Sequence, residues 1–451
     1  MKMANSVDTF IPRLFVAVLF LLCYCVDTAH ADTQPSFQKN AWQLLFVPTF
    51  ETSGPDNERL SIEGLNHSLL FGQLLSSLTA GLGKTVMGVY AWSTPTRSCK
   101  SDPDNMSVLQ TVTPYAVLNN LGVNFNLVSC GTESKCDCAD KSTYNSPAFL
   151  IDNILSNSPK GIYIVAMPKE AINEVLRSLP HIKNVKSIAR VENSHQYVLA
   201  SIDAASTSLQ RFDDGLIPKK IYPAVNIGEA ITGKCPQKAA SLFIAAPKHS
   251  FFKINTNATV SFIRHVEAHP NAGFENGNYV CAGQWRALGA NAIIRKKLDY
   301  MPDYLLTTNP SGIIACDGTC SYIRPTLTIE PFATEYGKAV DIAAFPWNDA
   351  ESLAAALFTQ NSPFSKAKYD NAKGLVAWEH AHIEKAVRYL IGTIYQRPDA
   401  LKDLPQWSYT DYDTIWTLAT DAQGNLQFTN SCEGISTDLL PSTCPAFMSA
   451  R

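Results

Sequence analysis

The chain has 451 residues, of which 46% are hydrophobic and 17% charged, and its formal net charge is −3. This length exceeds what one ordinary hydrophobic core serves, so two domains are expected, and the composition is that of a globular protein rather than a disordered one. The small net charge gives no reason to expect nucleic acid or an anionic membrane as a partner.

The N-terminus carries the pattern of a secretory signal peptide. Lys2 and Arg13 flank the start of an apolar run from Leu14 to Val26, and small residues around Ala31 suit cleavage. The run is short for a membrane span. We expect residues 1–31 to be removed and the protein to be exported to a periplasm, a cell exterior or a secretory lumen. An uncleaved N-terminal anchor is the alternative.

Cysteine usage agrees with export. Two of the twelve cysteines lie in the predicted signal peptide, and the remaining even number favours disulfide bonds in an oxidising compartment. Cys316 with Cys320, and Cys432 with Cys444, are spaced to close short local loops. Sequence spacing does not determine the connectivity.

The mature chain reads as β and α segments in alternation. In the first half, β-type runs and helical segments follow one another at residues 44–51, 64–70, 111–116, 163–172 and 197–202. This alternation favours a largely parallel sheet covered on both faces, with ligands at the carboxyl ends of its strands. Residues 217–251 contain four prolines and little periodicity, so they are predicted to be a linker.

The second half repeats the first faintly. Residues 260–267 resemble 44–51, residues 328–333 resemble 111–116, and residues 374–383 resemble 163–172, in the same order and at nearly constant spacing. A hairpin around Gly424 is predicted to close the second unit. The sequence thus predicts two α/β domains, at residues 32–216 and 252–451, joined by the linker.

The strongest candidates for catalytic residues follow the β-type run that begins the second domain. Arg264 and His265 stand at the end of that run, and His380 ends another strand-like run near the C-terminus. A guanidinium beside an imidazole suits gripping a phosphate and attacking its phosphorus. Because parallel strands bring their carboxyl ends to one edge, the two histidines are expected to share a site.

These residues resemble the histidine phosphatase superfamily, which includes the phosphoglycerate mutases and the histidine acid phosphatases. The family's opening motif, Arg-His-x-Glu-x-x-x-Asn, is matched by Arg264, His265, Glu267 and Asn271. The later motifs are matched by Gly283 and Gln284, by Arg324 before a Thr-rich helix start, and by His380. Val266 and Ala381 depart from the family pattern. The resemblance covers residues 255 to 430 well and 42 to 205 weakly.

The resemblance implies two tandem phosphoglycerate mutase-like α/β/α sandwich domains with mainly parallel sheets. It also implies a phosphatase that hydrolyses a small-molecule phosphate ester through a phosphohistidine and needs no metal or other cofactor. His265 is expected to be the nucleophile, and Arg264 and Arg324 are expected to bind the phosphoryl oxygens. His380 would donate a hydrogen bond to the phosphoryl group, and Asn271 would bind a non-bridging oxygen or orient the loop. Asp349 is the candidate general acid, with Glu379 as the second choice.

The first domain is predicted to be degenerate. Pro48 and Thr49 stand where Arg264 and His265 stand, Ser107 replaces Arg324, and Lys169 replaces His380. The first half therefore lacks all four of the groups that the chemistry needs. That domain is therefore expected to be structural, or to act as a cap or a binding module.

Two alternatives remain open. The second domain would be a weak or inactive phosphate-ligand or protein-binding module of the same fold. Alternatively, a metal-dependent hydrolase would use the imidazoles of His265, His269, His380 and His382, although the zinc-protease order His-Glu-x-x-His is absent. The sequence does not indicate an oligomeric state.

Overall fold

The structure is a computed structural model that describes residues 35, 37, 40–53, 59–80, 86–92, 106–125, 146–180, 190–268, 275–316 and 318–449. The described residues from Phe37 onward belong to one compact unit. Several predictions fall outside these ranges: the signal peptide, His269, Asn271, Cys99, Cys130, Cys136 and Cys138.

The first half contains a mixed sheet. Its described strands are β1 (Trp42–Pro48), β2 (Thr52–Ser53), β3 (Arg59–Leu60), β4 (Val86–Ala91), β5 (Val123–Phe125), β6 (Ile162–Met167), β7 (Gln196–Ile202) and β8 (Thr207–Asp213). The spatial order is β5-β4-β6-β1-β7-β8, while β2 and β3 form a separate ribbon. The pairs β5–β4, β4–β6 and β6–β1 are parallel, whereas the pairs β1–β7 and β7–β8 are antiparallel.

Helices cover both faces of this sheet. They are α1 (Ile62–Ala80), α2 (Ser107–Leu118), α3 (Pro147–Asn157) and α4 (Lys169–Ser178). Within β1, Leu45 and Val47 pack in one hydrophobic cluster, and Leu44 and Phe46 pack in another on the opposite face. Burial on both faces explains why this strand is a continuous apolar run rather than an alternating one.

The second half contains another mixed sheet. Its strands are β9 (Ser241–Ile244), β10 (Thr259–Arg264), β11 (Tyr304–Thr307), β14 (Val340–Ile342), β15 (Lys373–Trp378), β16 (Thr414–Thr420) and β17 (Leu426–Cys432), with β12 (Ile313–Cys316) and β13 (Gly318–Ser321) as a separate ribbon. The spatial order is β14-β11-β15-β10-β16-β17-β9. Six of these positions repeat the order of the first sheet, with β10 at the place of β1.

The second sheet also lies between helices. They are α5 (Cys281–Gly289), α6 (Asn291–Leu298), α7 (Arg324–Tyr336), α8 (Ala350–Phe358) and α9 (His380–Tyr389). Short 3-10 helices span Gly228–Ala230, Ala367–Tyr369, Pro398–Asp403 and Thr437–Leu439, and a π-helix spans Leu390–Ile394. None of the helices in the described ranges is long and apolar enough to cross a membrane.

The expectation of mainly parallel sheets needs correction. In the second sheet β10 runs parallel to β15 and antiparallel to β16. The antiparallel side is supplied by the predicted hairpin β16–β17, to which β9 adds a further antiparallel strand. Both sheets are therefore mixed, because a hairpin completes each of them beyond its central strand.

The disulfide bonds correct one sequence interpretation. Cys316 and Cys320 are bonded as their spacing suggested. Cys432 does not pair with Cys444: Cys432 bonds Cys235, and Cys444 bonds Cys281. Two of the three described disulfides thus span 197 and 163 residues, and they tie distant segments to strand β17 and to helix α5. Disulfides of this kind are typical of proteins in oxidising compartments.

Candidate active site

The two predicted histidines leave the second sheet at one edge. Arg264, the last residue of β10, pairs with Trp378, the last residue of the parallel strand β15. The backbone N–H of His265 donates to the carbonyl of Trp378 over 2.9 Å. His380 follows two residues later and is the first residue of α9. Strand register alone therefore brings the two histidine-bearing segments to the same end of the sheet.

Arg324 is attached to the same edge by Thr328. The Thr328 hydroxyl donates to the Arg324 carbonyl over 2.8 Å and accepts the backbone N–H of Val266 over 3.0 Å. Arg324 is the first residue of α7, so this hydroxyl joins the start of that helix to the turn that follows β10. The positive charge of Arg324 acts on His265, as does that of Arg264.

The imidazole of His265 is buried and neutral. Its Nδ1 donates to the carbonyl of Val266 over 2.9 Å, which leaves Nε2 with the lone pair because a carbonyl oxygen only accepts. Burial, together with the charges of Arg324 and Arg264, holds the pKa of His265 well below its usual value. A neutral imidazole with a bare Nε2 is the form that attacks phosphorus.

The guanidinium of Arg264 is held on one face and along one side. Its Cζ lies 3.8 Å from the ring centroid of Tyr412. A terminal nitrogen donates to the backbone carbonyls of Tyr409 and Asp411. Its buried Nε has no hydrogen-bond partner among the described residues. An N–H that stays buried without a partner is costly, so Nε is suited to an anion arriving from outside the protein.

Arg324 lies at the site, but both terminal nitrogens of its guanidinium fork are already hydrogen-bonded. The two terminal nitrogens donate to the two carboxylate oxygens of Glu275, each over 2.9 Å. The guanidinium also lies over the ring of Tyr322, at 4.8 Å from the centroid. As at Arg264, the buried Nε has no hydrogen-bond partner in the described part of the chain. A phosphoryl clamp through the fork thus requires Glu275 to yield.

Glu379 organises the second histidine. One carboxylate oxygen lies 2.6 Å from Nδ1 of His380, and the other lies 2.7 Å from Nδ1 of His382 and caps the helix at its backbone N–H. Burial would raise the pKa of Glu379, but the contacts with His380 and His382 outweigh it and hold the pKa far below its usual value. Glu379 is therefore an anion that positions His380, and it is a poor proton donor.

Asp349 has a structural role that the sequence analysis did not predict. It is the N-cap of α8, where its carboxylate accepts the backbone N–H and the hydroxyl of Ser352 over 3.0 Å and 2.7 Å. Both of these contacts are local to the helix, and neither joins Asp349 to His265 or His380. The expectation that Asp349 is the general acid lacks support in this geometry.

Glu267, a member of the sequence motif, belongs to a buried ion cluster. Its carboxylate accepts Nε of Arg286 over 2.8 Å, and Arg286 also binds Asp413 and Glu433. Helix α5 can approach this turn because Gly283 has no side chain: a Cβ there would lie 2.5 Å from the Glu267 carbonyl oxygen. Glu267 and Gly283 thus shape the turn that carries His265.

Several residues of the site were not found from the sequence. Glu275, Tyr322 and Tyr412 contact the two arginines, yet none belongs to a motif. The contacts of these rings and of this loop carboxylate depend on tertiary packing, so local sequence spacing does not predict them. The predicted contribution of Asn271 lies outside the described residues.

The positions predicted to be degenerate occupy equivalent places in the first half. Pro48 is the last residue of β1, as Arg264 is of β10. Ser107 begins α2 and Lys169 begins α4, at the places where Arg324 and His380 begin α7 and α9.

The four-imidazole metal site is not formed in the described part of the chain. His265, His380 and His382 belong to no cluster there with metal-ligand spacing, and His269 lies outside the described residues. The group that does have such spacing consists of Glu51, His67 and His195 in the first half.

Comparisons with known proteins give weak likenesses. No family model and no curated protein matches the chain. Among solved structures, the mycobacterial glucosyl-3-phosphoglycerate phosphatase is 10% identical, with a TM-score of 0.25, and the match covers 40% of this chain and 99% of that one. The phosphoserine phosphatase of Entamoeba histolytica, in complex with 3-phosphoglyceric acid, is 14% identical, with a TM-score of 0.22, covering 36% and 89%. These neighbours belong to the histidine phosphatase superfamily, but TM-scores this low do not establish the family or the function of this chain.

Proposed function

We propose that the protein is a phosphomonoester hydrolase that acts through a phosphohistidine at His265. One observation carries the proposal: the buried imidazole is neutral, Nδ1 is committed to Val266, and Nε2 is left as a nucleophile beside two arginines. The buried Nε groups of Arg264 and Arg324 lack partners among the described residues and supply donors for phosphoryl oxygens.

The reaction would run in two displacements. Nε2 of His265 attacks phosphorus, a P–N bond forms, the ester P–O bond breaks, and the departing alkoxide takes up a proton from water. Water then attacks the phosphohistidine, the P–N bond breaks, and inorganic phosphate leaves. Arg264 and Arg324 stabilise the negative charge on the transferring group, and His380, held by Glu379, donates a hydrogen bond to it.

We further infer that the first half, residues 32–216, is a degenerate copy of the fold of residues 252–451, to which β9 of the intervening segment adds an edge strand. The shared strand order and the equivalent positions of Pro48 and Arg264 support this. Export after cleavage near Ala31 is part of the proposal and is supported by the three disulfides. Small-molecule phosphate esters are the proposed substrates.

A binding module without turnover is the second candidate. Two observations favour it: the Arg324 fork is occupied by Glu275, and Arg264 is engaged by two backbone carbonyls. Such a module would bind phosphate esters with the unpartnered Nε groups and never form the P–N bond.

Turnover of an aryl phosphate by the full chain separates the two candidates. We expect phosphate release by the wild type, an acid-labile phosphoenzyme on rapid quenching, and loss of both in His265→Asn. His249→Asn is the matched control, because the side chain of His249 is exposed and makes none of the contacts described at the site. Phosphate binding without turnover in the wild type would establish the binding module instead. Turnover abolished by chelator and restored by zinc would overturn the metal-free mechanism.

A further inference from the structure

A second cluster of titratable side chains lies in the first half, away from His265. Glu51 follows β1, His67 lies in α1, His195 precedes β7 and Asp214 follows β8. The hairpin β7–β8 brings the last two together, since the backbone N–H of Asp214 donates to the His195 carbonyl over 2.9 Å. The four side chains form a closed ring of contacts that the proposed phosphatase reaction does not use.

Asp214 fixes the orientation of both imidazoles. One of its oxygens lies 2.8 Å from Nε2 of His67, and the other lies 3.0 Å from Nδ1 of His195. A carboxylate only accepts, so each of these ring nitrogens carries the proton. Phe50 stacks on His67 with ring centroids 3.9 Å apart, which holds the plane of that ring.

The other ring nitrogens then face a carboxylate. Nδ1 of His67 lies 3.1 Å from Oε1 of Glu51, and Nε2 of His195 lies 3.8 Å from the same oxygen. In the neutral imidazoles both nitrogens are acceptors, and so is the oxygen. Three acceptor atoms that converge within 4.8 Å of one another need a cation between them.

We propose that Glu51, His67 and His195 bind a divalent transition metal of the zinc class, with Asp214 as the outer carboxylate that orients both histidines. Two imidazole nitrogens and one carboxylate oxygen are a common zinc donor set, and the fourth position would be taken by water. Ligands of a tetrahedral zinc ion lie about 3.4 Å apart, close to the separations of Glu51 Oε1 from the two ring nitrogens. A carboxylate on the far nitrogen is the usual outer partner of a metal-bound histidine.

The position in the second half that corresponds to His67 carries a permanent cation. Arg286 stands three residues after Gly283, as His67 stands three after Gly64, and it is buried among Glu267, Asp413 and Glu433. A guanidinium is a permanent cation with no lone pair, so the second half cannot bind a metal there. In the first half the cation must come from a proton or a metal ion. Without a metal, burial opposes charge on His67, but Asp214 and Glu51 raise its pKa to about 9.

Access favours a metal over a sealed ion pair. The His67 side chain is fully buried, but those of Glu51 and His195 are 23% and 34% exposed. An ion can therefore enter from solvent past two of its ligands. Ser194 donates to Oε1 of Glu51 over 2.6 Å and steadies the carboxylate on that side.

Zinc binding to the chelator-treated full chain tests the proposal. Titration against a chromophoric chelator is expected to give one tight zinc site per chain, and cobalt is expected to give visible bands of four-coordinate intensity. His195→Ala and Glu51→Gln should abolish both signals. Asp214→Asn should weaken zinc affinity by roughly 10- to 100-fold, as loss of an outer carboxylate does. Circular dichroism checks that each variant is folded.

His380→Asn is the matched control, because it removes an imidazole from the phosphatase site and should leave zinc binding unchanged. If zinc binds no more tightly to the wild type than to His195→Ala, the ring is a proton-linked ion pair and the proposal is wrong. If binding is lost in His380→Asn and kept in His195→Ala, the metal lies at the other histidines, and the proposal is equally wrong.

Discussion

Glu275 holds both terminal nitrogens of Arg324, each over 2.9 Å, so a carboxylate occupies the place where the phosphoryl clamp was expected. An arriving phosphate must compete with this anion or bind only at Nε. In the proposed phosphatase, this pair therefore sets how strongly the site binds phosphate.

Glu275→Gln is expected to tighten the binding of inorganic phosphate several-fold, because a neutral amide repels the incoming anion less. Competitive inhibition by phosphate, or calorimetry on His265→Asn, measures the change. Glu229→Gln, at an exposed position, is the control and should change nothing. Weaker phosphate binding in Glu275→Gln would mean that Glu275 helps to build the site rather than obstruct it.

Thr328→Val should destabilise the second half and loosen the site. The substitution removes the acceptor for the buried N–H of Val266, at a cost of about 1–3 kcal/mol in the free energy of unfolding. Thr113→Val is the matched control, because that buried hydroxyl only donates to a carbonyl of its own helix. Urea denaturation compares the two. Equal losses would show that the Val266 contact contributes nothing particular.

Acid tolerance of the turnover follows from the charges around His265. Burial and the two arginines lower its pKa, so the imidazole stays neutral below pH 6.5 and the acid limb of kcat/KM should lie below that value. Arg324→Met removes one positive charge and takes the guanidinium partner away from the Glu275 carboxylate, and both changes should move the limb to higher pH. The substrate's own ionisation is common to both enzymes, so the difference reports on the protein. Arg388→Met, which removes contacts with Glu384 on α9 and with the Leu401 carbonyl, should leave the profile in place.

Glu433 is expected to contribute less to stability as pH rises towards neutrality, because it shares Arg286 with two other buried carboxylates. Burial raises the pKa of Glu433 to about 7, against the attraction of Arg286. Between about pH 4.5 and 7 the folded state binds a proton that the unfolded state has released, so the free energy of unfolding decreases across this window, by on the order of 3 kcal/mol. Glu433→Gln should flatten the curve, whereas exposed Glu174→Gln should not. A Glu433→Gln curve with the same slope as the wild-type curve across the window would contradict the assignment; His265, whose pKa is lowered, contributes an opposite slope to both proteins.

The long-range disulfides should contribute more stability than the local one. Replacing Cys281 and Cys444 by Ser frees a loop of 163 residues and should lower the free energy of unfolding by roughly 2–4 kcal/mol. The same replacement at Cys316 and Cys320, only four residues apart, should cost less. Thermal denaturation of the two double variants gives the comparison. A larger loss at the local pair would show that strain or packing, rather than loop closure, decides the outcome.

Local patterns were enough to predict the frame of the site. Arg264 and His265 end a β-type run, and His380 begins the helix after another, so their common edge followed from parallel strands. The capping role of Asp349 was missed, although its sequence signal was present. An acidic residue before Ala350-Glu351-Ser352 is an ordinary helix N-cap, and the cap is what the structure shows.

Tertiary contacts were out of reach for a different reason. Glu275 meets Arg324 across 49 residues, and Cys235 meets Cys432 across 197, and neither separation leaves a periodic trace. The cluster of Glu51, His67, His195 and Asp214 joins four separate segments of the first half. Only the completed sheet and its hairpin bring such groups together, so residue spacing could not reveal them.

Strand β9 has a consequence for how the chain is made. It precedes β10 in the chain, yet its partner is β17, near the other end. During synthesis, residues 241–244 must wait for residues 426–432 to emerge before they can pair, and Cys235 must likewise wait for Cys432. The second sheet is thus completed at this edge only after residues 426–432 have been synthesised, and a ribosome that stalls earlier leaves the edge open to other strands.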